Sequence, residues 1–189
     1  MIKPFTLGAI GSLISAVSTG LSYVMELFIV IPLYITTYSK VLFFLTTLLG
    51  VGILLASLGY REIRNIHGLF FGTAGFAFGM VASVLFFSTA VVGIITPDYF
   101  ILVYPPPLIY SINFWVRLLN LIFFGVTHVI WGIAHFKTRK FCKKPRLSLV
   151  TSGLFVASGV VLLSTFSPEI GLVLSFVSLL FASRVFLAF

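Results

Sequence analysis

The sequence predicts an all-α protein: a polytopic transmembrane bundle of six helices arranged as three hairpins, with both termini in the cytoplasm. The first observation is composition. Of the 189 residues, 60% are hydrophobic and 8% are charged, whereas a soluble chain is roughly half apolar and a quarter charged. The second is the length of the apolar runs, and the third is the one-sided distribution of the basic residues. The chain has room for roughly five or six spans of about 20 residues each, so we expect a single transmembrane helical domain, 1–189.

Six apolar segments are long enough to cross a bilayer. They lie at about 5–27, 41–60, 68–95, 111–135, 147–166 and 170–188. The first segment continues past the length of a signal-peptide core, so we interpret it as a span. Taken in pairs, the segments form three in-and-out hairpins, 5–60, 68–135 and 147–188.

Basic residues give this arrangement a direction. Only Lys40 and Arg117 lie nearer the side opposite the termini, and the other basic residues lie on the side that holds both termini. Cytoplasmic loops carry an excess of Lys and Arg, so we expect both termini in the cytoplasm. This pattern accounts for most of the net charge of +8, and we therefore expect no nucleic-acid partner.

Small residues recur along the first and third spans. In the first span they come every four residues, with a second row alongside; the third span repeats the pattern. Such ridges let helix backbones approach closely, so we interpret them as packing seams. The residues are Gly8, Ser12, Ala16 and Gly20, with Gly11, Ser15 and Thr19, and then Gly68, Gly72, Gly75, Gly79 and Ser83.

The fourth span carries an unusual polar face. At 100 degrees per residue, its polar and indole side chains fall within an arc of roughly 100 degrees, and the rest of the helix is aliphatic or Phe. Polar residues inside a membrane are expected to face the bundle interior. This candidate polar stripe consists of Asn113, Arg117, Asn120, Thr127, His128, Trp131 and His135.

Two hypotheses concern particular members of the stripe. Arg117 lies near the outer end, where Glu26 of the first span is its best partner by depth, and Asp98 and Glu169 in the outer loops are alternatives. We predict an Arg117–Glu26 ion pair that locks two helices together; a substrate or proton pathway is the alternative role. His128 and His135 lie roughly 10 Å apart along the helix, too far to clamp one haem iron. We expect no cofactor, and haem b would need a second ligand from another helix.

A cluster of basic residues follows the fourth span. Clusters of four to eight such residues beside a membrane bind anionic headgroups or acidic partners. Contact with anionic lipid or a partner is one interpretation, and topology alone is the other. The residues are Lys137, Arg139, Lys140, Lys143, Lys144 and Arg146.

Catalytic motifs are missing from the sequence. The single cysteine, Cys142, excludes an internal disulfide and a Cys-rich metal site. The chain contains no Walker loop, no HExxH and no nucleophile elbow. We therefore expect no enzyme activity and no metal.

The stretches TLGAIGSLISAVSTG, LLGVGILLASLGYREIRNIHG and LFFGTAGFAFG resemble uncharacterised small multi-pass membrane proteins common in archaea. The resemblance covers about the first 80 residues and implies a prokaryotic, archaeal plasma membrane. It transfers no functional residues.

The leading functional hypothesis is a non-catalytic integral subunit or accessory protein of a larger membrane complex. Its apolar faces and small-residue seams would pack on other integral membrane subunits and on membrane lipids. Two alternatives remain: a small channel or transporter with a polar pathway along the fourth helix, and a haem- or quinone-binding electron-transfer subunit. A polar cavity lined by Asn120, Thr127 and His128 would favour the channel.

Overall fold

The structure, a computed structural model, describes residues 3–28, 35–67, 70–95, 108–164 and 168–189. In this part of the chain all of the regular secondary structure is helical. Each of the six helices contains a stretch long and apolar enough to cross a membrane, which confirms a multi-pass membrane protein. The helices are α1 (Pro4–Phe28), α2 (Ile35–His67), α3 (Phe70–Ile95), α4 (Leu108–Thr138), α5 (Pro145–Ser164) and α6 (Pro168–Phe186), with a short 3-10 turn at Arg139–Phe141 before α5.

The bounds of these helices follow local chemistry. Pro4, Pro145 and Pro168 each occupy the first position of a helix, where the missing N–H costs nothing and φ is already helical. α2 ends at His67, seven residues beyond residue 60, where the predicted second span ends. This extension lacks Gly and Pro and is amphipathic, since Ile63 is buried while Arg61 and Arg64 are exposed.

The six helices form a closed ring in chain order. Each helix packs against the helices before and after it, and α6 packs against α1. The predicted hairpin partners α1–α2, α3–α4 and α5–α6 are therefore in contact. The pairs α2–α3, α4–α5 and α6–α1 are in contact as well, so the ring does not single out three hairpins.

Successive helices run in opposite directions. The rings of Phe5 and Phe189 lie 5.1 Å apart, so residues close to both chain ends lie at one end of the bundle. Tyr60, at the far end of the second span, contacts His135 near the end of α4 and Phe186 near the end of α6. We call this end, which carries most of the basic residues, the basic end.

The small-residue seams are packing surfaces within the chain, although Gly68 of the third-span seam lies outside the described residues. A Cβ atom added to Gly52 of α2 would lie 2.7 Å from the backbone nitrogen of Ser15, and one added to Gly11 would meet the backbone of Ala56. α4 and α5 approach equally closely, because a Cβ on Gly132 would lie 2.9 Å from the carbonyl oxygen of Ser152. Glycine at these positions allows the backbones to touch, as predicted for α1.

Candidate functional site

The polar face of α4 points into the ring, as its spacing predicts. Asn120, Thr127, His128, Trp131 and His135 are all buried. Arg117, which belongs to the predicted stripe, is instead exposed. It lies on the part of α4 farthest from the basic end, and a long side chain there can carry its guanidinium toward a more polar surrounding.

The side chains of two predicted site residues lie outside the part of the chain that the structure describes. Nothing is described of the side chain of Asn113 or of Glu26, the predicted partner of Arg117. The helices that carry the pair are not neighbours in the ring, since α1 packs on α2 and α6 while α4 packs on α3 and α5. The Arg117–Glu26 ion pair stays a prediction.

The centre of the site is a hydrogen bond between α2 and α4. The Tyr60 hydroxyl and Nε2 of His135 lie 2.8 Å apart, and both side chains are fully buried. The arrangement that leaves fewest unmet hydrogen-bonding groups has the hydroxyl donating to Nε2, which places the imidazole hydrogen on Nδ1. His135 is then a neutral acceptor for a neighbouring helix.

Trp131 fixes α3 to the same point. Its indole N–H donates to the carbonyl oxygen of Gly75 at 2.9 Å, and its ring stacks on Tyr60 with centroids 4.6 Å apart and planes 10° from parallel. A Cβ on Gly75 would lie 3.0 Å from the indole, so glycine makes room for the ring. α2, α3 and α4 therefore meet through two side chains.

α5 and α6 complete the cluster with aromatic rings. The ring of Phe155 stacks on His135 at 5.7 Å with planes 4° from parallel and meets His128 edge-on at 5.1 Å. Phe186 of α6 contacts Tyr60 and His135 at 5.1 and 5.6 Å. The ring of Phe124 meets His128 edge-on at 4.1 Å. We call these seven side chains the aromatic cluster: Tyr60, Phe124, His128, Trp131, His135, Phe155 and Phe186.

Hydroxyl groups tie the helices around the cluster. Ser148 of α5 donates to the carbonyl oxygen of His135 at 2.9 Å, and Ser83 of α3 donates to the carbonyl of Gly50 at 2.8 Å. Ser158 and Ser175 join α5 to α6 with hydroxyl oxygens 2.6 Å apart. These bonds cross helix boundaries, so they hold the ring as well as satisfying buried polar atoms.

Some buried polar atoms of α4 have no hydrogen-bond partner in the described part of the chain. The amide of Asn120 donates to Thr89 at 3.2 Å, but its carbonyl oxygen has no partner among the described residues. His128 uses Nδ1 on the carbonyl of Phe124 at 2.9 Å. Its Nε2, like Nδ1 of His135, is buried without a partner in the described part of the chain. A buried polar atom without a partner costs about 1–3 kcal/mol, so Asn120, His128 and His135 are the residues of α4 at which a further hydrogen-bond partner would be stabilising.

Sequence reasoning missed the partners of α4. Tyr60, Ser148 and Phe155 were not singled out, although Tyr60 had a signal: the other six of the seven tyrosines lie toward the outer ends of the predicted spans. A tyrosine at the opposite end is thus exceptional. In contrast, nothing local distinguishes Ser148 or Phe155 from the other Ser and Phe residues of the spans.

Few of the described side chains at the site could bind a metal ion. In the ranges that the structure describes, no three side chains of His, Cys, Asp or Glu come together. His128 and His135 both pack their rings against Phe155. The arrangement is therefore one of hydrogen bonds and ring contacts between helices.

The predicted basic cluster divides into three pairs of residues. Arg139 donates to the carbonyl of Phe136 at 2.7 Å and lies over its ring, and the ammonium of Lys140 lies 5.0 Å from the ring centre of Phe141. Lys143 and Lys144 instead line a pocket together with Arg184 of α6, a residue that sequence reasoning did not include. Lys137 and Arg146 are exposed.

No family model matches the chain, and neither a curated protein nor a solved structure shows significant similarity to it. The resemblance to small archaeal membrane proteins stays a prediction.

Proposed function

We propose that the chain is a non-catalytic integral subunit of a larger membrane assembly, in the plasma membrane of a prokaryote and, following the resemblance of its first 80 residues, of an archaeon. The observation that carries this proposal is the use of the polar groups in the interior. Tyr60, Trp131 and Ser148 each donate a hydrogen bond to a helix other than their own. A bundle whose buried polar groups join its own helices is built to hold a shape, which suits a structural subunit.

A groove between α1 and α6 is the surface on which we test this proposal. It lies in the half of the bundle away from the basic end and has a volume of about 450 Å³. Its lining is apolar, and the exposed ridge of α1 beside it continues the apolar surface. Its occupant, in this proposal, is a transmembrane helix of another subunit, because a concave apolar surface gives a helix dispersion contacts that disordered lipid tails do not. The lining residues are Val17, Gly20, Leu21, Tyr23, Val24, Leu172, Val173 and Phe176.

The test is purification of the tagged chain from its native membrane in a mild detergent, with measurement of particle mass and identification of co-eluting integral proteins. We expect a particle well above the 20.8 kDa of the chain alone, with another membrane protein at fixed stoichiometry. Leu21→Trp with Val173→Trp fills the groove and should release that partner. Val84→Trp with Val91→Trp, at exposed positions on α3, is the matched control and should leave the partner bound.

An opposite result is easy to recognise. If the chain elutes alone and moves a solute when reconstituted in liposomes, it is not a subunit that depends on a partner. If the groove variant and the control variant lose the partner equally, the partner does not bind in the groove.

A small transporter is the second candidate, and one observation favours it. The unmet atoms of Asn120, His128 and His135 share the inward face of α4, as a chain of sites for water or protons would require. Proton flux into liposomes, followed with a trapped pH-sensitive dye, tests this candidate. Flux that the His128→Leu variant abolishes would favour it over the structural role.

A further inference from the structure

We propose that Lys143, Lys144 and Arg184 form a binding site for the phosphate group of an anionic phospholipid. The three residues line one pocket at the basic end, with a volume of about 390 Å³, together with Leu187 and Ala188. This inference goes beyond the proposed subunit role and does not depend on it.

The convergence of the three cations is the first argument. Lys143 and Lys144 precede α5, whereas Arg184 lies in the last turn of α6, so two separate parts of the chain bring positive charge to one pocket. Like charges placed together repel one another, and a bound anion removes that repulsion. The guanidinium of Arg184 can hold two phosphate oxygens, and the two ammonium groups add point charges.

The backbone of the pocket is held in place, which is the second argument. The N–H of Lys143 donates to the carbonyl of Ala188 at 3.1 Å, and the N–H of Lys144 lies 3.4 Å from the sulfur of Cys142. Cys142 is itself buried against Val185 and Ala188. The segment that carries both lysines is therefore fastened to the end of α6, so its backbone does not have to move when a ligand arrives.

The other basic residues nearby behave differently, which is the third argument. Arg139 and Lys140 cover the rings of Phe136 and Phe141. If basic residues at this end served only to orient the chain, their positions relative to one another would not matter. Two lysines of the loop that meet an arginine from α6 in one pocket are more specific than orientation requires.

The depth of the pocket selects a lipid as the source of the phosphate. The spans of α4 and α6 end at Phe141 and Phe186, so the pocket lies where headgroups meet the hydrocarbon region. Leu187, in the same pocket, is 68% exposed and offers an apolar contact to the glycerol and upper acyl carbons. A site with phosphate-binding charge beside an apolar residue at this depth suits an anionic lipid better than a free ion.

The experiment measures lipid binding to the purified full chain and to three variants. Each protein is placed in a neutral detergent, and binding of phosphatidylglycerol, phosphatidylcholine and inorganic phosphate is followed by native mass spectrometry and by the shift in thermal midpoint. The pocket variant is Lys143→Gln with Lys144→Gln and Arg184→Gln. The control variant, Lys137→Gln with Lys140→Gln and Arg146→Gln, removes the same net charge from the same end. The third variant, Arg184→Gln alone, keeps the predicted basic cluster complete.

We expect phosphatidylglycerol to bind and to raise the thermal midpoint of the unmodified chain more than the other two ligands do. A hydrogen bond between a basic side chain and the phosphate contributes at least about a ten-fold factor, so Arg184→Gln should bind phosphatidylglycerol about ten-fold more weakly and the pocket variant at least about a hundred-fold more weakly. The control variant should keep most of the affinity.

Three results would overturn the proposal. Equal losses in the pocket and control variants would mean diffuse charge attraction. Equal binding of phosphatidylglycerol and phosphatidylcholine would mean that charge does not matter. An equal effect of inorganic phosphate would mean a site for a free anion. If the pocket variant does not fold, Arg184→Gln decides between these results.

Discussion

Tyr60 and His135 depend on each other inside the bundle. Their bond joins residues 75 positions apart, and Tyr60→Phe removes the donor while keeping the ring that stacks on Trp131. Nε2 of His135 is then buried without a partner. Measured interhelical hydrogen bonds in membranes average about 0.6 and reach about 1.7 kcal/mol, so we expect Tyr60→Phe to lower the free energy of unfolding by about 1 kcal/mol.

Reversible unfolding in mixed micelles checks this loss. Tyr23→Phe, on the part of α1 away from the aromatic cluster, is the matched control and should change the free energy of unfolding little. His135→Leu, alone and combined with Tyr60→Phe, completes a double-mutant cycle. If the two changes add without a coupling energy, the hydrogen bond does not contribute to stability.

At the scale of the helices, glycine allows neighbouring helices to approach closely. A Cβ on Gly79 of α3 would collide with the hydroxyl oxygen of Ser57 on α2 and would lie 3.1 Å from the indole of Trp131. Overpacking of this kind costs about 1–3 kcal/mol, so Gly79→Ala should destabilise the bundle by that amount. Ser57→Ala in the same chain removes the colliding oxygen and should restore part of the loss.

Gly153 of α5 gives the contrasting control. A Cβ there would meet nothing within 4 Å, and alanine is the better helix former by about 1 kcal/mol. Gly153→Ala should therefore leave the free energy of unfolding unchanged or raise it. Equal destabilisation by Gly79→Ala and Gly153→Ala would show that helix packing does not explain the glycine on α3.

The sequence predicts the helices well because span length and apolarity are local properties. It also predicts the inward face of α4, since helical periodicity alone brings Thr127, His128 and Trp131 to one side. Two features escape this reasoning. The end of α2 is helical past residue 60 because Ile63 packs on the bundle, and apolarity alone ends the helix too early. The exposure of Arg117 depends on where α4 meets its neighbours, which periodicity does not fix.

At the scale of the whole molecule, contacts between distant segments decide the rest. Closure of the ring between α1 and α6 brings Phe186 to Tyr60, and it sets the end of α6 beside the basic segment before α5. Neither the aromatic cluster nor the pocket with Arg184 follows from local sequence, because each needs the order and rotation of the helices in the ring. A sequence pattern predicts which face of a helix is buried, and the order of the helices in the ring decides which residues that face contacts.

The ring also makes the orientation in the membrane a property of the whole chain. The alternating helices place nearly all of the 12 Lys and Arg residues at the basic end, and the positive-inside rule assigns that end to the cytoplasm. Because the helices interlock through backbone contacts such as Gly11 with Ala56, one helix cannot reverse alone. We therefore predict a single orientation, not a mixture, with the basic end in the cytoplasm.

Labelling of single cysteines by a membrane-impermeant maleimide tests this orientation. In a Cys142→Ser background, Lys140→Cys introduces a reactive thiol at the basic end, and Ser164→Cys introduces one at the opposite end of α5; both positions are exposed. In intact cells Ser164→Cys should react and Lys140→Cys should not, and inverted vesicles should give the reverse result. Labelling of Lys140→Cys alone in intact cells would invert the assignment, and partial labelling of both would contradict a single orientation. Lys140→Cys in the presence of permeabilising detergent is the control for reactivity, because the thiol must react there if topology alone protects it in the cell.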